Sequence, residues 1–572
     1  MEHKRAERLR AAAANHFDIA IIGGGIHGAS IAREAALRGY SVLLVDARDY
    51  AAGTSSRSSK MIHGGVRYLE TLDFSLVHEA LSERTLMLKN APHLVRSSRF
   101  LYPVISGLTR PAWQIRFGLL LYDLLSRESL FGGLSATFPR HQRLSPDGEQ
   151  TQFLRNQGLQ FEALFAYSDG QLDDARFTIE TVIDSSSLGA VTLNYVELMN
   201  AIAFPARAGW ELHLRDVING EEITTRAKFL VNMAGPSAKV VHERLLDRKG
   251  NPALPSFPAV VLSKGSHLVF NSPWKADGVI LPTPTRGRYY FIWPYFTPGC
   301  ETLTLVGTTD REISTVEPDP VADEVDEAEL LTYLKRDLPS SSLNSDTLIQ
   351  SFAGIRLLLD PRVGASGRIR KRGVSAISRR DHWVEHYGYL SLIGGKFTTA
   401  RNTAERAVNR IDEYFLRNSR VQTGTRTRPL PGGVSWDQTT RPSLERRLSE
   451  HLTIEAQRLG LPPSESAIKT HAQAAVSRFG TQAEKLLGHE FGTNNPFISS
   501  SCAVLRSEIR LAILEEQAIT VEDVLRRRLS VSLHPGAGRD LVATVTEELA
   551  RLTGRATQAL ENEAREYLRR WK

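Results

Sequence analysis

The sequence predicts an α/β protein, α+β overall, with one mostly parallel domain, an antiparallel sheet and a helical C-terminal domain. Three observations carry that expectation. A buried strand, a glycine-rich turn, a helix and a second buried strand follow one another between residues 17 and 46. Strand-like runs crowd residues 255 to 345. Past residue 437 the composition turns helical and rich in arginine. At 572 residues the chain has room for two or three domains.

The first unit begins with "FDIAIIG" at 17–23, a nearly continuous apolar run of the kind a parallel strand buried on both faces requires. "GGGIHG" follows and holds G-x-G-x-x-G at Gly23, Gly25 and Gly28, with Gly24 between. "ASIAREAALRGY" has helical composition, and "SVLLVD" ends a second strand on Asp46. Each part suits a dinucleotide. Gly23 permits the tight turn, Gly25 admits a pyrophosphate, and Gly28 lets helix and strand pack closely. The helix N-terminus offers amides and partial positive charge to phosphates. Asp46, 18 residues after Gly28, can accept hydrogen bonds from a ribose.

The next stretch, "SSRSSKMIHGGVRYLE" at 55–70, is neither helical nor strand-like throughout. A nicotinamide enzyme would continue with another β-α-β repeat. Here hydroxyls, Lys60, His63 and the Gly64-Gly65 pair suit an extended cofactor with a flat ring, which favours FAD.

Further along, "WQIRFGLLLYDLL" reads as an apolar helix. "FLVNMAGP" at 229–236 is another buried strand meeting a glycine turn, here with Ala234 and Gly235. "SHLVF", "YYFIWPYF" and "TLTLVGTTD" suit an antiparallel sheet. "YLSLIGGKFTTAR" at 389–401 repeats strand, glycine turn and helix start, and expects a second helix N-terminus beginning near Lys396. Residues 418–437 have linker composition.

Composition sets outer bounds. A net charge of +7 favours an anionic partner: a phosphorylated substrate, an acidic membrane surface or nucleic acid. No aromatic stacking platform or nucleic-acid module is apparent, so nucleic acid is not expected. Cys300 and Cys502 lie far apart and offer neither metal spacing nor a disulfide framework, which fits a reducing cytoplasm. No apolar run reaches transmembrane length. The leading "MEHKRAERLRAAAANH" is expected to form a solvated helix.

At this point the residues resemble the FAD-dependent glycerol-3-phosphate dehydrogenases of the respiratory, aerobic type. The resemblance runs through the glycine motif and serine loop, "HEALSERTLMLKNAPHLV", "RPAWQIRFGLLLYDLL", "DDAR" at 173–176 and "KGSHLV" at 264–269. "VGTTD" at 306–310, "FAGIR" at 352–356, "GGKFTTAR" at 394–401 and "LPGG" at 430–433 follow in the same order. It implies an FAD-binding Rossmann-like domain of the glutathione-reductase/D-amino-acid-oxidase type. That domain would take residues 17–95, 160–254 and 346–417, a substrate domain 96–159 and 255–345, and a helical domain 428–572.

The resemblance also implies roles. FAD would be held by Gly23, Gly24, Gly25, Gly28, Asp46, Ser55, Ser56, Ser59, Lys60, His63, Gly64, Gly65, Ala234, Gly235, Gly395, Lys396 and Thr398. Arg67, His267, Arg356, Arg379 and Lys396 would line the substrate pocket, with His267, Arg67 and Arg356 catalytic. His267 is the preferred base because its ordinary pKa lies near working pH. Arginine suits a phosphate because its fork pairs two oxygens. Asp310 is either a pocket acceptor or a turn cap, and Asp173 and Asp174 read best as an acidic helix start.

Three departures stand out. Leu357 follows Arg356 where proline is common, "SRRDH" leaves Arg379 and Arg380 as alternatives, and "NMAGPSA" replaces Asn-Ala-Thr-Gly-Pro-Trp. The implied reaction oxidises sn-glycerol 3-phosphate to dihydroxyacetone phosphate and reduces a membrane quinone, at the inner face of the cytoplasmic membrane. A soluble oxidase using O₂ and an FAD-dependent amine oxidoreductase are the rivals, and a homodimer stays open. For a bilayer contact, Trp113, Phe117, Leu120, Leu121 and Leu124 share one helix face near Arg110, Arg116 and Arg127. A buried core helix is the competing expectation.

Overall fold

In the computed structural model the described residues are 2–65, 74–126, 138–205, 209–285, 287–360, 380–416, 424–461, 464–488, 495–499 and 501–571. Arg67, Arg379 and Arg127 lie outside them.

Two sheets dominate. The first is built on the expected unit. Strand His16–Ile22 pairs in parallel with Val42–Val45 on one side and Glu222–Asn232 on the other. Strands Val191–Leu193 and Tyr389–Ile393 extend the parallel core, and four flanking strands, antiparallel except where Leu245–Leu246 meets Val196–Ala203, complete nine among the described residues. The central strand is apolar on both faces because helices cover one side and a strand layer the other; Ile19, Ala20 and Ile21 are fully buried. The glycine-motif helix, Ile26–Leu37, packs across it.

The second sheet has ten strands among the described residues. Its antiparallel centre is Val260–Phe270, Tyr289–Tyr295, Leu303–Gly307 and Leu348–Leu359, the runs expected from their aromatic and β-branched content. Strands Ala163–Leu172 and Leu348–Leu359 also belong to this sheet. Both fall in segments that the sequence places with the first domain.

Two expectations need correction. The leading helix, Glu2–Ala14, is not merely solvated. Leu9 and Ala12 join the first sheet's core, and Arg5 reaches Asp216 at 2.9 Å and the Asn194 carbonyl at 3.0 Å. Cys300 and Cys502 are bonded to each other, so their distance in sequence hides a tether between the second sheet and the helical domain. Cysteine usage therefore gives no argument for a reducing compartment.

The C-terminal arginines also behave differently from a solvated basic face. Arg526, Arg527 and Arg528 lie in a buried π-helical turn. Arg528 meets both oxygens of Asp49, at 2.5 and 3.0 Å, and Arg527 Nε meets Asp49 Oδ2 at 2.6 Å. Asn194 Nδ2 donates to the same carboxylate at 2.9 Å. The two guanidinium groups offset burial and hold the Asp49 carboxyl down to about 2. Removing Arg528 takes two charged hydrogen bonds from the buried carboxylate and leaves it with Arg527 and Asn194. Arg528→Met is therefore expected to lower stability by about 2–4 kcal/mol, measurable as a lower Tm and earlier proteolytic release of the C-terminal domain. An unchanged Tm would mean that the carboxylate finds other compensation.

Candidate active site

The glycine turn is built by close approach. Gly23 has φ +111°, and a Cβ there would lie 2.4 Å from the Met233 carbonyl oxygen of the neighbouring strand. A Cβ on Gly28 would lie 1.8 Å from Gly23 O, so only glycine lets this helix start against this strand. Gly25 is the helix N-cap and has no side chain to block the amide end. The Gly24 amide donates to Asp46 at 2.7 Å and the Arg48 amide donates to it at 2.9 Å. Burial pushes the Asp46 carboxyl up to about 6 against the pull of these amides.

The serine loop is organised from below. Ser55 Oγ accepts from the Ile26 amide at 2.9 Å, which joins the loop to the helix start. Asp174 takes the Ser58 amide and hydroxyl at 3.0 and 2.7 Å and the Lys60 ammonium at 2.6 Å. Burial pulls the Lys60 ammonium down, but Asp174 outweighs it and holds Lys60 above its ordinary value. The Lys60 charge is thus engaged within the protein. Asp173 does cap the following helix, accepting from Arg176 N at 3.0 Å, whereas Asp174 positions the loop. Ser56 is buried, and His63 is half-buried.

Gly64 meets the helix Ala112–Leu125. Its amide donates to Tyr122 Oη at 2.9 Å, and a Cβ would lie 2.4 Å from Leu81. Tyr122 in turn donates to Asp169 at 2.6 Å, and Arg84 pairs with Asp169 at 2.8 Å. Gly65, beside it, has φ +74°. Ala234 and Gly235 turn the chain after the strand Glu222–Asn232, with Asn232 Oδ1 accepting from Ala234 N at 3.2 Å.

The polar face lies on two paired strands. Ser263 is opposite Arg356, Gly265 opposite Gly354, and His267 opposite Phe352. With a period of two, these six share one face. The two central glycines leave room. A Cβ on Gly265 would lie 2.4 Å from the Arg356 guanidinium, and one on Gly354 would lie 2.8 Å from the Arg57 carbonyl of the serine loop. The loop therefore crosses between His267 and Arg356. Ser59 Oγ hydrogen-bonds His267 Nε2 at 2.9 Å, and Phe352 stacks on the ring at 4.8 Å. Burial, then Arg356, then Lys60 push the imidazole down to about 3, so it is neutral at working pH. Arg356 is half-buried and donates to Thr308 Oγ1 at 3.3 Å and Ser263 Oγ at 3.5 Å. Asp310 accepts from Ser263 at 2.5 Å and lies 3.7 Å from Arg356, which places it at the pocket rather than as a simple turn cap.

Lys396 lies in the turn Gly394–Thr399, ahead of the helix Ala400–Tyr414 rather than at its start. Its charge, with those of Arg406 and Arg401, pulls against burial at Glu79. Gly395 has φ +91° and faces the His27 ring of the glycine-motif helix, while Thr398 is buried. Arg380, the alternative to Arg379, is exposed.

Residues 18–406 match the FAD dependent oxidoreductase family, and residues 423–559 match the C-terminal domain of alpha-glycerophosphate oxidase. A "Glycerol-3-phosphate dehydrogenase" of Pseudomonas aeruginosa is 32% identical over 90% of this chain and 92% of its own. The chain belongs to the FAD-dependent glycerol-3-phosphate dehydrogenases. A "D-erythritol 1-phosphate dehydrogenase" of Brucella abortus is 33% identical over 90% of this chain and 95% of its own. The FAD-complexed glycerol-3-phosphate dehydrogenase of Bacillus halodurans shares the fold, with TM-score 0.71 over 99% of this chain and 97% of that one, at 21% identity. This family uses FAD, and the residues described fit it: an uncapped helix end at Gly25, a carboxylate at Asp46, and a loop held against both.

Two signals were missed in the sequence. Gly265 sits inside "KGSH", where nothing in the sequence marks it as the space for Arg356. Tyr122 and Asp169 have no motif, since their meeting with Gly64 depends on three separate segments.

Two predictions follow from this geometry. Gly25→Val puts branched carbons at the open helix end, beside Ser55 Oγ, where a Cβ would already lie at 3.0 Å. The variant should be purified with less than a tenth of the wild-type flavin, read by absorbance, at a Tm near that of the wild-type apoprotein. The second concerns pH. A lowered His267 pKa means that the free enzyme keeps a neutral imidazole well below the ordinary value near 6.5. The kcat/KM profile should therefore show no inflection near 6.5 from this residue, with any acid limb below about pH 5. A limb at 6.5 that vanishes in His267→Gln would contradict the buried geometry.

Proposed function

We propose that the chain oxidises sn-glycerol 3-phosphate at C2 to dihydroxyacetone phosphate and passes the electrons to a membrane quinone. The observation that carries this reading is the face shared by His267 and Arg356, crossed by the serine loop. Arg356 offers a cation for a phosphate, with Arg67 and Arg379 as further candidates from the sequence. His267, neutral and held by Ser59, takes the C2 hydroxyl proton. A bound dianion beside Arg356 removes part of the positive field that depresses His267, so the imidazole becomes a better base when substrate is present. FAD, once bound, supplies the acceptor for the hydride. Lys396 and the turn at Gly395 serve the substrate or the cofactor's anionic side.

The acceptor reading rests on the helix Ala112–Leu125. Its buried side is Ile115, Leu119 and Tyr122. Trp113 is 70% exposed, Phe117 66%, Leu120 51% and Leu124 56%. The competing expectation of a core helix therefore fails for this face, though Leu121 is half-buried. Arg110 and Arg116 are exposed beside the stripe. Among the described residues no helix is long and apolar enough to cross a membrane. An apolar stripe flanked by cations suits a helix lying in an acidic bilayer surface, where a lipid-soluble quinone is reached.

The name of the Brucella relative makes a longer polyol phosphate the comparison substrate. Anaerobic mixing with sn-glycerol 3-phosphate, D-erythritol 1-phosphate and glycerol should bleach the flavin fastest with the first and barely with the last. Faster bleaching by the four-carbon substrate would replace the substrate proposed here. Arg356→Ala should cost about 2–5 kcal/mol in kcat/KM; an unchanged value would move the phosphate elsewhere. Sedimentation with phosphatidylglycerol vesicles should recover the wild type in the pellet. Trp113→Glu/Phe117→Glu should bind at least tenfold less while keeping the anaerobic reduction rate. A soluble wild type that is re-oxidised by O₂ and not by a quinone analogue would instead favour the oxidase.

A further inference from the structure

The chain's two cysteines, 202 residues apart, are bonded to one another. Cys300 lies in the turn between strands Tyr289–Tyr295 and Leu303–Gly307 of the second sheet. Cys502 lies just ahead of the helix Arg506–Leu514. The bond thus joins the sheet that carries His267 and Arg356 to the helical domain. A third reactive group accompanies it. A ring nitrogen of His534 lies within 4.8 Å of both sulfurs. His534 is buried, and its Nε2 makes no hydrogen bond among the described residues. None of these three groups has a part in the oxidation described above.

The surroundings are constructed around the sulfurs. Arg478 donates to the Pro298 carbonyl at 2.7 Å and to the Cys502 carbonyl at 2.9 Å, so one guanidinium holds both flanking backbones. Glu508 balances it at 2.5 Å. A guanidinium beside a cysteine favours its thiolate. Cys502 is buried, whereas Cys300 is half-buried, so Cys300 Sγ is the sulfur that a reagent can reach.

We propose that Cys300–Cys502 is a reversible thiol–disulfide site, with His534 as its proton carrier, whose reducing substrate is a small dithiol. The thiolate of that dithiol attacks Cys300 Sγ, the Cys300–Cys502 bond breaks, and Cys502 leaves as a thiolate that takes up a proton. The second thiol of the reagent then attacks the mixed disulfide and releases Cys300. Two electrons pass to the protein, two protons end on its thiols, and the dithiol becomes a disulfide. In the return direction the oxidised reagent accepts both electrons; the Cys300 proton goes to the first reagent thiolate released, and His534 carries the Cys502 proton to the second. Burial and Arg478 hold the imidazole down to about 4, so near neutral pH it is unprotonated and can hold a proton only in passing.

The site has a route to the catalytic face. Gln350 Nε2 donates to the Ser532 carbonyl at 2.7 Å, two residues before His534. Gln350 belongs to the strand Leu348–Leu359, which carries Phe352 and Arg356. Opening the bond leaves the sheet that holds that strand tied to the helical domain with one covalent link fewer. A Cys₂His metal site is the rival reading of the same atoms. It requires both sulfurs as separate thiolates, and here they are joined.

The test uses holoenzyme purified without reductant and equilibrated, without air, in mixtures of reduced and oxidised dithiothreitol. Samples are acid-quenched, denatured and labelled with a maleimide that adds measurable mass. The expected result is no label in the oxidised protein, two in the reduced protein and a single two-electron transition while the protein stays folded. Reduction should lower Tm by about 5 °C, as loss of a long-range crosslink does. Cys300→Ser should show the lower Tm and no response to dithiothreitol. His534→Gln should re-close at least tenfold more slowly at an unchanged midpoint; re-closure at the wild-type rate would remove His534 from the proposal. The titration and Cys300→Ser carry the test if that variant does not fold. Two free thiols without reductant, a bond that resists dithiothreitol until denaturation, or one zinc per chain protecting the thiols would each overturn it.

Discussion

The placement of the cofactor loop depends on one buried carboxylate. Asp49 has no exposed surface, and Arg527, Arg528 and Asn194 surround it. Tyr50, the next residue, packs where a Cβ on Gly24 would lie 2.5 Å from its ring, and the Ala51 amide donates to the Gly24 carbonyl at 3.1 Å. The helical domain thus grips residues 49–51 from outside while the glycine turn grips them from inside. The strand that ends on Asp46 and the serine loop that begins a few residues later are both fixed by this turn. A buried ion pair is weak evidence for stability in itself, because desolvation opposes it. Here its consequence is positional: through Asp49, 478 residues before Arg527, it couples the C-terminal domain to the dinucleotide turn.

The second constraint is the pairing of Val260–Phe270 with Leu348–Leu359. A register fixed by two buried sheet faces puts His267 and Arg356 on the same side, with glycines between them. Side chains at Gly265 and Gly354 would close the gap through which the serine loop enters. The loop then completes the histidine's environment through Ser59. One cation, Lys60, is bound to Asp174 and another, Arg356, is directed to the pocket, and both keep the imidazole neutral. The neutral state of His267 is therefore set by burial first and by these two cations second.

Most of the fold was legible because it rests on local pattern. The strands at 16–22 and 42–45, the glycine turn and the antiparallel runs follow from apolar continuity and alternation. The motifs of the resemblance name candidate polar residues in order, and the structure brings His267 and Arg356 of these onto one face. What the sequence did not show depends on distant partners. The Cys300–Cys502 bond spans 202 residues, and Asp174 looks like an ordinary helix-start acid until Ser58 and Lys60 are placed on it. The role of Tyr122 was hidden for the same reason. The arginines of 526–528 are the opposite case: a charge run ordinarily makes a solvated face, and this one is buried against Asp49 and Asp523.

That burial changes how the net charge of +7 should be understood. Arg84, Arg176, Arg478 and Arg528 are buried beside carboxylates and contribute little to the field outside. Long-range attraction for anions depends on charges left at the surface. Arg110 and Arg116 are such charges, and they lie beside the exposed stripe of the helix Ala112–Leu125. The opposite side of that helix sends Tyr122 to the Gly64 amide and to Asp169. One short helix thus presents an apolar and basic face outward and a hydrogen bond to the cofactor loop inward. The two faces stay in fixed relation as long as the helix keeps its register, which the fully packed Leu119 and Tyr122 enforce.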